Sequence, residues 1–78
     1  MKSIYIGNLT YTTTQQQVHD IFAQFGNVIS SRMILDKTTH KFKGYAFVEM
    51  DDENAETAVS MLNGESYNGR IMRVSIAN

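Results

Sequence analysis

The chain of 78 residues is predicted to fold as an α+β domain, with a four-stranded antiparallel sheet and two helices on one of its faces. Two observations support this fold: strand-like and helix-like segments follow the order β-α-β-β-α-β, and each helical segment has a single apolar stripe. Because each helix has an apolar stripe that must be buried against another element, both helices are expected to pack on the sheet. The compact solution is the split βαβ, or ferredoxin-like, sandwich.

The first strand and the first helix carry clear local signals. Residues 2–7 are rich in β-branched and aromatic side chains, which predicts a strand. Thr14 lies three residues before Gln17, the spacing of a capping box at a helix start. The helix is predicted over residues 15–25, and Gly26 is expected to end it. Its apolar stripe consists of Val18, Ile21, Phe22 and Phe25.

The rest of the chain is predicted to contain three more strands and one more helix. We expect a second strand at residues 28–36, a basic loop at 36–43 and a third strand at 44–50. A second helix is expected at residues 53–63 and a last strand at 71–76. Asp51 or Asp52 is expected to cap the second helix. A turn over residues 67–70, with Asn68 and Gly69 at its centre, is expected before the last strand.

Composition narrows the classes of function. The sequence has no cysteine, which excludes disulfides, thiolate metal ligands and thiolate nucleophiles. Apolar runs are three or four residues long at most, as at residues 33–35, which is too short for a membrane span or a signal sequence. His19 and His40 have no second ligand at metal spacing. We therefore expect one monomeric, cytoplasmic domain over residues 1–78, with no metal or cofactor and a binding role rather than an enzymatic one.

Aromatic residues are expected on the sheet face opposite the helices. Strand residues alternate between faces, so Tyr5 faces outward if its isoleucine neighbours face the core. The same alternation turns Tyr45 and Phe47 outward in the third strand. The other register would bury these rings and expose the isoleucines, which is unfavourable. Aromatic side chains grouped on an exposed surface normally mark a contact site.

Two segments resemble the conserved motifs of the RNA recognition motif family. Residues 4–9, Ile-Tyr-Ile-Gly-Asn-Leu, are similar to its six-residue motif, and residues 43–50, Lys-Gly-Tyr-Ala-Phe-Val-Glu-Met, to its eight-residue motif. The resemblance extends over the whole chain. The family includes small stand-alone bacterial proteins with one such domain, with which this chain is compatible, and a domain excised from a longer protein is the alternative. Met50 departs from the usual Phe or Tyr, and Ser30 and Ser31 stand where an apolar residue is usual.

The resemblance implies a binding mode for single-stranded RNA. Tyr5 is expected to stack on one base and Phe47 or Tyr45 on the next, so that two or three bases lie on the sheet. Lys43 is expected to contact a phosphate, and the backbone around Asn78 to read base edges.

The remaining predicted contact residues come from strand alternation and from the distribution of charge. They are Lys2, Arg32, Lys41, Arg73 and Ser75. The net charge is only −1, but lysine and arginine are confined to strands and loops, while acidic residues concentrate in the helices. A basic aromatic face and an acidic helical side are therefore expected. Glu49 is expected on the aromatic face, where it would repel phosphate, and Asn8 is expected to order the loop after the first strand.

Two other kinds of partner remain open from the sequence. The same face could dock a protein, although family members that do so often lack the aromatic residues. It could also bind single-stranded DNA, because stacking needs no 2′-hydroxyl. Post-transcriptional regulation and RNA chaperoning are both compatible with an RNA-binding domain of this kind.

Overall fold

The computed structural model describes residues 1–77. Two helices, α1 and α2, extend over Gln15–Ala23 and Asp52–Leu62. The main sheet consists of four strands, β1, β2, β3 and β6, at Lys2–Gly7, Val28–Leu35, Phe42–Met50 and Arg73–Ile76. A small hairpin of β4, Ser66–Tyr67, and β5, Arg70–Ile71, precedes β6.

The sheet has the strand order β2-β3-β1-β6, and all its pairings are antiparallel. In the central pair, Ile4 lies opposite Val48 and Tyr5 lies opposite Phe47. This register sends Ile4 and Val48 to the side that the helices cover and the two rings to the other side. The predicted ferredoxin-like fold, with both helices on one face, is confirmed.

The hydrophobic core fills the space between the sheet and the two helices. Strands β1 and β3 contribute fully buried Ile4, Ile6, Val48 and Met50. The helices contribute their predicted stripes, of which the fully buried members are Val18, Phe22, Ala55 and Ala58. Met50 is thus a core residue, and its departure from the family pattern affects packing rather than the open face.

Helix α1 begins with the predicted capping box. The hydroxyl of Thr14 accepts a hydrogen bond from the backbone N–H of Gln17 at 3.2 Å, and the Thr14 N–H donates to Gln17 Oε1 at 2.9 Å. The helix ends at Ala23, two residues before the predicted end, and the next turn is closed by a bond from Phe25 N–H to Phe22. Gly26 adopts a φ of 148°, which disfavours residues with a side chain, and a Cβ atom there would also lie 2.3 Å from the side-chain amide of Asn54 in α2.

Strand β2 and the last predicted strand are less regular than expected. A register shift between Val28 and Ser30 makes Ile29 an extra residue relative to β3, which is a β-bulge. The predicted strand over 71–76 is interrupted at Met72, since Ile71 pairs in the small hairpin while β6 begins at Arg73. The predicted turn over 67–70 closes that hairpin. Neither helix within residues 1–77 is long and apolar enough to cross a membrane.

Loss of the Phe22 ring should strongly destabilise the domain. Phe22 is fully buried, and deletion of a buried Phe ring typically lowers the free energy of unfolding by about 3–5 kcal/mol. We therefore expect Phe22→Ala to show a loss of that size in urea denaturation. Tyr11→Ala removes a ring that is 77% exposed and serves as the matched control, with an expected loss below about 0.5 kcal/mol. Equal losses in the two variants would contradict the assigned core.

Candidate nucleic-acid interface

The outer face, defined as the sheet side opposite the helices, presents side chains in rows that cross the strands. The central row follows from three pairings: Arg32 with Phe47, Phe47 with Tyr5, and Tyr5 with Ser75. One neighbouring row contains Ser30, Glu49 and Ser3. The other contains Tyr45 and Arg73, since Tyr45 follows Phe47 on the same face and Arg73 pairs with Gly7.

Three rings at the centre of the outer face form what we call the aromatic cluster: Tyr5, Tyr45 and Phe47. The ring centroids of Tyr5 lie 5.9 Å from those of both Tyr45 and Phe47, and the latter two are 6.2 Å apart. The rings meet in tilted and edge-to-face orientations, which are favourable for aromatic pairs. All three are half-buried, so they are held by their neighbours and still offer surface on which a flat group can stack.

Gly7 provides the room that the Tyr5 ring occupies. A Cβ atom at Gly7 would lie 2.0 Å from the hydroxyl oxygen of Tyr5 and 2.8 Å from a ring carbon. The ring of Tyr5 therefore leans along β1 and covers Gly7. A side chain at position 7 would displace this ring, which explains why a strand that otherwise favours bulky residues ends in glycine.

Four of the five predicted cations lie on or beside the outer face. The Arg32 guanidinium carbon lies 5.8 Å from the Phe47 ring centroid, within range of a cation–π contact. Arg73 and Lys43 are exposed at the same end of the sheet as Tyr45. Lys41 is exposed in the adjacent β2–β3 loop. These side chains bring positive charge to two sides of the aromatic cluster.

Lys2 is not part of this face, contrary to the sequence prediction. It has the same strand parity as Ile4 and Ile6, so it projects toward the helices, where its ammonium group forms an ion pair with Glu56 of α2. This ion pair raises the pKa of Lys2. Alternation within β1 already contained this signal. Of the other predicted residues, Ser75 lies on the outer face next to Tyr5, and Asn78 lies outside the described residues.

A contact between distant loops was not visible in the sequence. Arg70 of the small hairpin donates from Nε to the Asn8 carbonyl at 3.1 Å and from its terminal nitrogen to the Asn8 side chain. The Asn8 amide donates to the Ile71 carbonyl at 2.7 Å. Asn8 has a positive φ of 61°, which asparagine tolerates better than most residues. Asn8 thus orders the loop after β1, as predicted, and Arg70 is engaged in doing so.

The motifs at residues 4–9 and 43–50 therefore occupy the two central strands, side by side and in one register. The family model described as the RNA recognition motif matches residues 4–73. This chain belongs to the RNA recognition motif family.

Curated relatives of this RNA recognition motif domain occur in animals, plants and bacteria. It is 42% identical over 78 residues to human cleavage stimulation factor subunit 2, covering 99% of this chain and 14% of that protein. It is 40% identical to mitochondrial glycine-rich RNA-binding protein 2 of Arabidopsis thaliana, covering 96% and 48%. It is 37% identical to RbpE of Nostoc sp., covering 96% and 77%. The chain thus spans a small part of the first of these relatives and most of the last.

Solved structures resemble the fold closely. The RNA-binding protein PG1 superposes with a TM-score of 0.96 at 35% identity, covering 99% of this chain and 94% of that chain. The RNA recognition motif of Rna15 with bound RNA (GU) superposes with a TM-score of 0.87 at 34% identity, covering 97% and 82%.

The β2–β3 loop, which carries Lys41, is ordered by Asp36. One oxygen of the Asp36 carboxylate accepts the backbone N–H groups of Thr38 and Thr39, each at 2.9 Å. These two hydrogen bonds, chiefly the one from Thr39, hold the pKa of Asp36 below its usual value. The backbone of Asp36 pairs with Lys41 and accepts from His40, which closes the loop.

This loop should loosen in acid. Because the pKa of Asp36 is lower in the folded loop than in an unfolded chain, its carboxylate stabilises the loop fully above the ordinary value of 3.8. That stabilisation is lost as the pH falls below 3.8 and through the folded pKa. We expect the amide protons of Thr38 and Thr39 to shift in an NMR titration with a midpoint below 3.8, and Asp36→Asn to abolish this transition. A midpoint at or above 3.8 would contradict the hydrogen-bonded geometry.

Proposed function

We propose that this domain binds single-stranded RNA by stacking two or three bases on the aromatic cluster of Tyr5, Tyr45 and Phe47. The observation that carries the proposal is the packing of these three partly exposed rings, 5.9–6.2 Å apart, at the centre of an open sheet. A base has a flat apolar surface that matches such a platform, and stacking contributes about 1–3 kcal/mol per base. In a duplex the bases are stacked on each other, so the platform favours unpaired strands.

The cations around the cluster suit the phosphates of a bound strand. Arg32 and Lys43 flank opposite ends of the cluster along the strands, with Arg73 beside Lys43 and Lys41 in the adjoining loop. The total charge of the chain is −1, so attraction depends on this local arrangement rather than on net charge. We expect two or three phosphate contacts, and therefore affinity that depends moderately on salt.

The relatives provide independent support for RNA as the partner. The solved Rna15 domain, similar over 97% of this chain, was determined with bound RNA (GU). The relative from Arabidopsis thaliana is named as an RNA-binding protein. In this proposal the domain recognises RNA without making or breaking a bond, and it needs no cofactor.

The biological setting is part of the same proposal. We infer a single domain over residues 1–78 that acts as a cytoplasmic monomer in post-transcriptional regulation or RNA chaperoning. A monomer keeps the aromatic cluster accessible to a strand, whereas a dimer that used the outer face would cover it. Sedimentation with and without RNA tests this, since a dimer that dissociates on RNA addition would contradict it.

Removal of one ring should weaken RNA binding more than it weakens the fold. We expect Phe47→Ala to lower the affinity for an unpaired RNA octamer by roughly 5- to 150-fold in fluorescence anisotropy, the equivalent of about 1–3 kcal/mol. Tyr5→Ala should behave similarly, and the double variant should lose more than either. Since Phe47 is half-buried, a moderate loss of stability is expected as well.

Phe47→Leu separates stacking from packing at this position. Leucine keeps most of the apolar volume, so the unfolding temperature should recover, but it has no flat ring, so RNA affinity should stay low. If a folded Tyr5→Ala/Phe47→Ala protein binds the octamer as tightly as the wild type, the stacking proposal is wrong. Tighter binding of the wild type to a DNA octamer of the same sequence would redirect the proposal to single-stranded DNA.

Two lysines on opposite sides of the sheet provide a matched test of the phosphate contacts. Lys43→Gln removes a cation of the outer face and should reduce the slope of log affinity against log salt by about 0.7, the value for one single-strand phosphate. Lys2→Gln removes the same charge beside Glu56, on the helical side, and should leave the slope unchanged. Equal effects of the two substitutions would show that only net charge matters.

A further inference from the structure

An open cavity of about 630 Å³ adjoins Phe47 on the outer face. Its lining comes from β1, β2, β3 and the segment after β6, and comprises Ser3, Ser30, Ser31, Arg32, Phe47, Glu49 and Ala77. It covers the polar row of Ser30, Glu49 and Ser3 described above. A flat group stacked on Phe47 would therefore direct one of its edges over this polar row.

The distances suit a stacked base. Phe47 and Glu49 are two residues apart on β3 and face the same side, so their Cα atoms are separated by roughly 6.6 Å, twice the rise per residue of a strand. The side chains of both residues line the same open cavity. The carboxylate of Glu49 is thus within reach of the edge of a base that lies on the Phe47 ring.

The Glu49 carboxylate is oriented but not neutralised. Its Oε1 atom accepts the Ser30 hydroxyl at 2.7 Å, which limits rotation of the side chain. Among residues 1–77, no lysine or arginine forms an ion pair with Glu49. A half-buried carboxylate on a surface that binds phosphates is unfavourable unless the ligand brings hydrogen-bond donors to it. The N–H groups on the edges of nucleic-acid bases are uncharged hydrogen-bond donors of this kind.

We propose that Glu49, held by Ser30, selects guanine for the base that stacks beside Phe47; this inference rests on the proposed function. Guanine has two adjacent donors on its Watson–Crick edge, N1–H and the N2 amino group, which match the two oxygens of a carboxylate. Uracil has one N–H between two carbonyl oxygens, and the carboxylate repels both. Adenine and cytosine each offer one amino group next to an acceptor nitrogen.

The test uses five RNA octamers. One consists of uridine alone, and the other four have a single central guanosine, inosine, adenosine or cytidine among uridines. Because the other positions are identical, each RNA can slide until its single different base occupies the cavity. We expect the wild type to bind the guanosine octamer about 5- to 150-fold more tightly than the all-uridine octamer, as for a bidentate contact. Inosine lacks the 2-amino group, so the affinity for the inosine octamer should lie between those for the guanosine and the all-uridine octamers. A wild type that binds all five equally, or prefers uridine, overturns the inference.

Substitution of Glu49 isolates its contribution. Glu49→Gln has nearly the same shape but only one acceptor oxygen, so the guanosine-to-uridine ratio should fall at least fivefold while the affinity for the all-uridine octamer does not fall. Ser30→Ala should lower the ratio less. Glu53→Gln makes the same charge change on α2, where Glu53 is exposed, and should leave the ratio unchanged. An unchanged guanosine-to-uridine ratio in Glu49→Gln overturns the inference. The affinity of the wild-type protein for the inosine octamer tests the same inference without any protein variant.

The two proposals fail in different ways. If stacking is correct but base selection is wrong, Phe47→Leu lowers the affinity for every octamer, while the five octamers bind the wild type alike. If the proposed function is wrong, the wild type binds none of the octamers, or binds them without needing Tyr5 and Phe47, and the inference on guanine is overturned with it.

Discussion

The pairing of β1 with β3 is the interaction on which the rest of the structure depends. A single register sets Ile4 against Val48 beneath the helices and Tyr5 against Phe47 on the outer face. The hydrophobic core therefore specifies the position of the aromatic cluster, since a slip by one residue would exchange the two faces along the whole strand. Burial of the core stabilises the binding surface even though the surface itself is not buried.

The outer face is ordered before any ligand arrives. The rings contact one another, Arg32 lies over Phe47, and Tyr5 lies in the space left by Gly7. Ordering of side chains is one of the costs of association, so a platform assembled in the free protein makes binding more favourable. The same crowding explains why the three rings are half-buried.

The order of the elements and the apolar stripes of the two helices were sufficient to predict the fold. Alternation along β1 and β3, where apolar and aromatic residues alternate clearly, was sufficient to predict most of the outer face. The prediction for Lys2 was wrong because charges were grouped by element rather than by face. The contact between Asn8 and Arg70 and the small hairpin depend on residues distant in sequence, which local periodicity does not reveal. The position of the bulge in β2 depends on β3, its partner, and is likewise invisible in the strand alone.

That bulge has a consequence for changes in chain length. Val28 pairs with Met50 and Ser30 with Glu49, so these two residues already face opposite sides of the sheet with Ile29, 46% exposed, between them. A chain that lost Ile29 would retain regular alternation, with every later side chain of β2 on its present side. Loss of a residue farther along β2 would invert the residues on one side of the gap. Evolution or engineering can therefore shorten this strand by one residue at Ile29 while preserving both surfaces of the sheet.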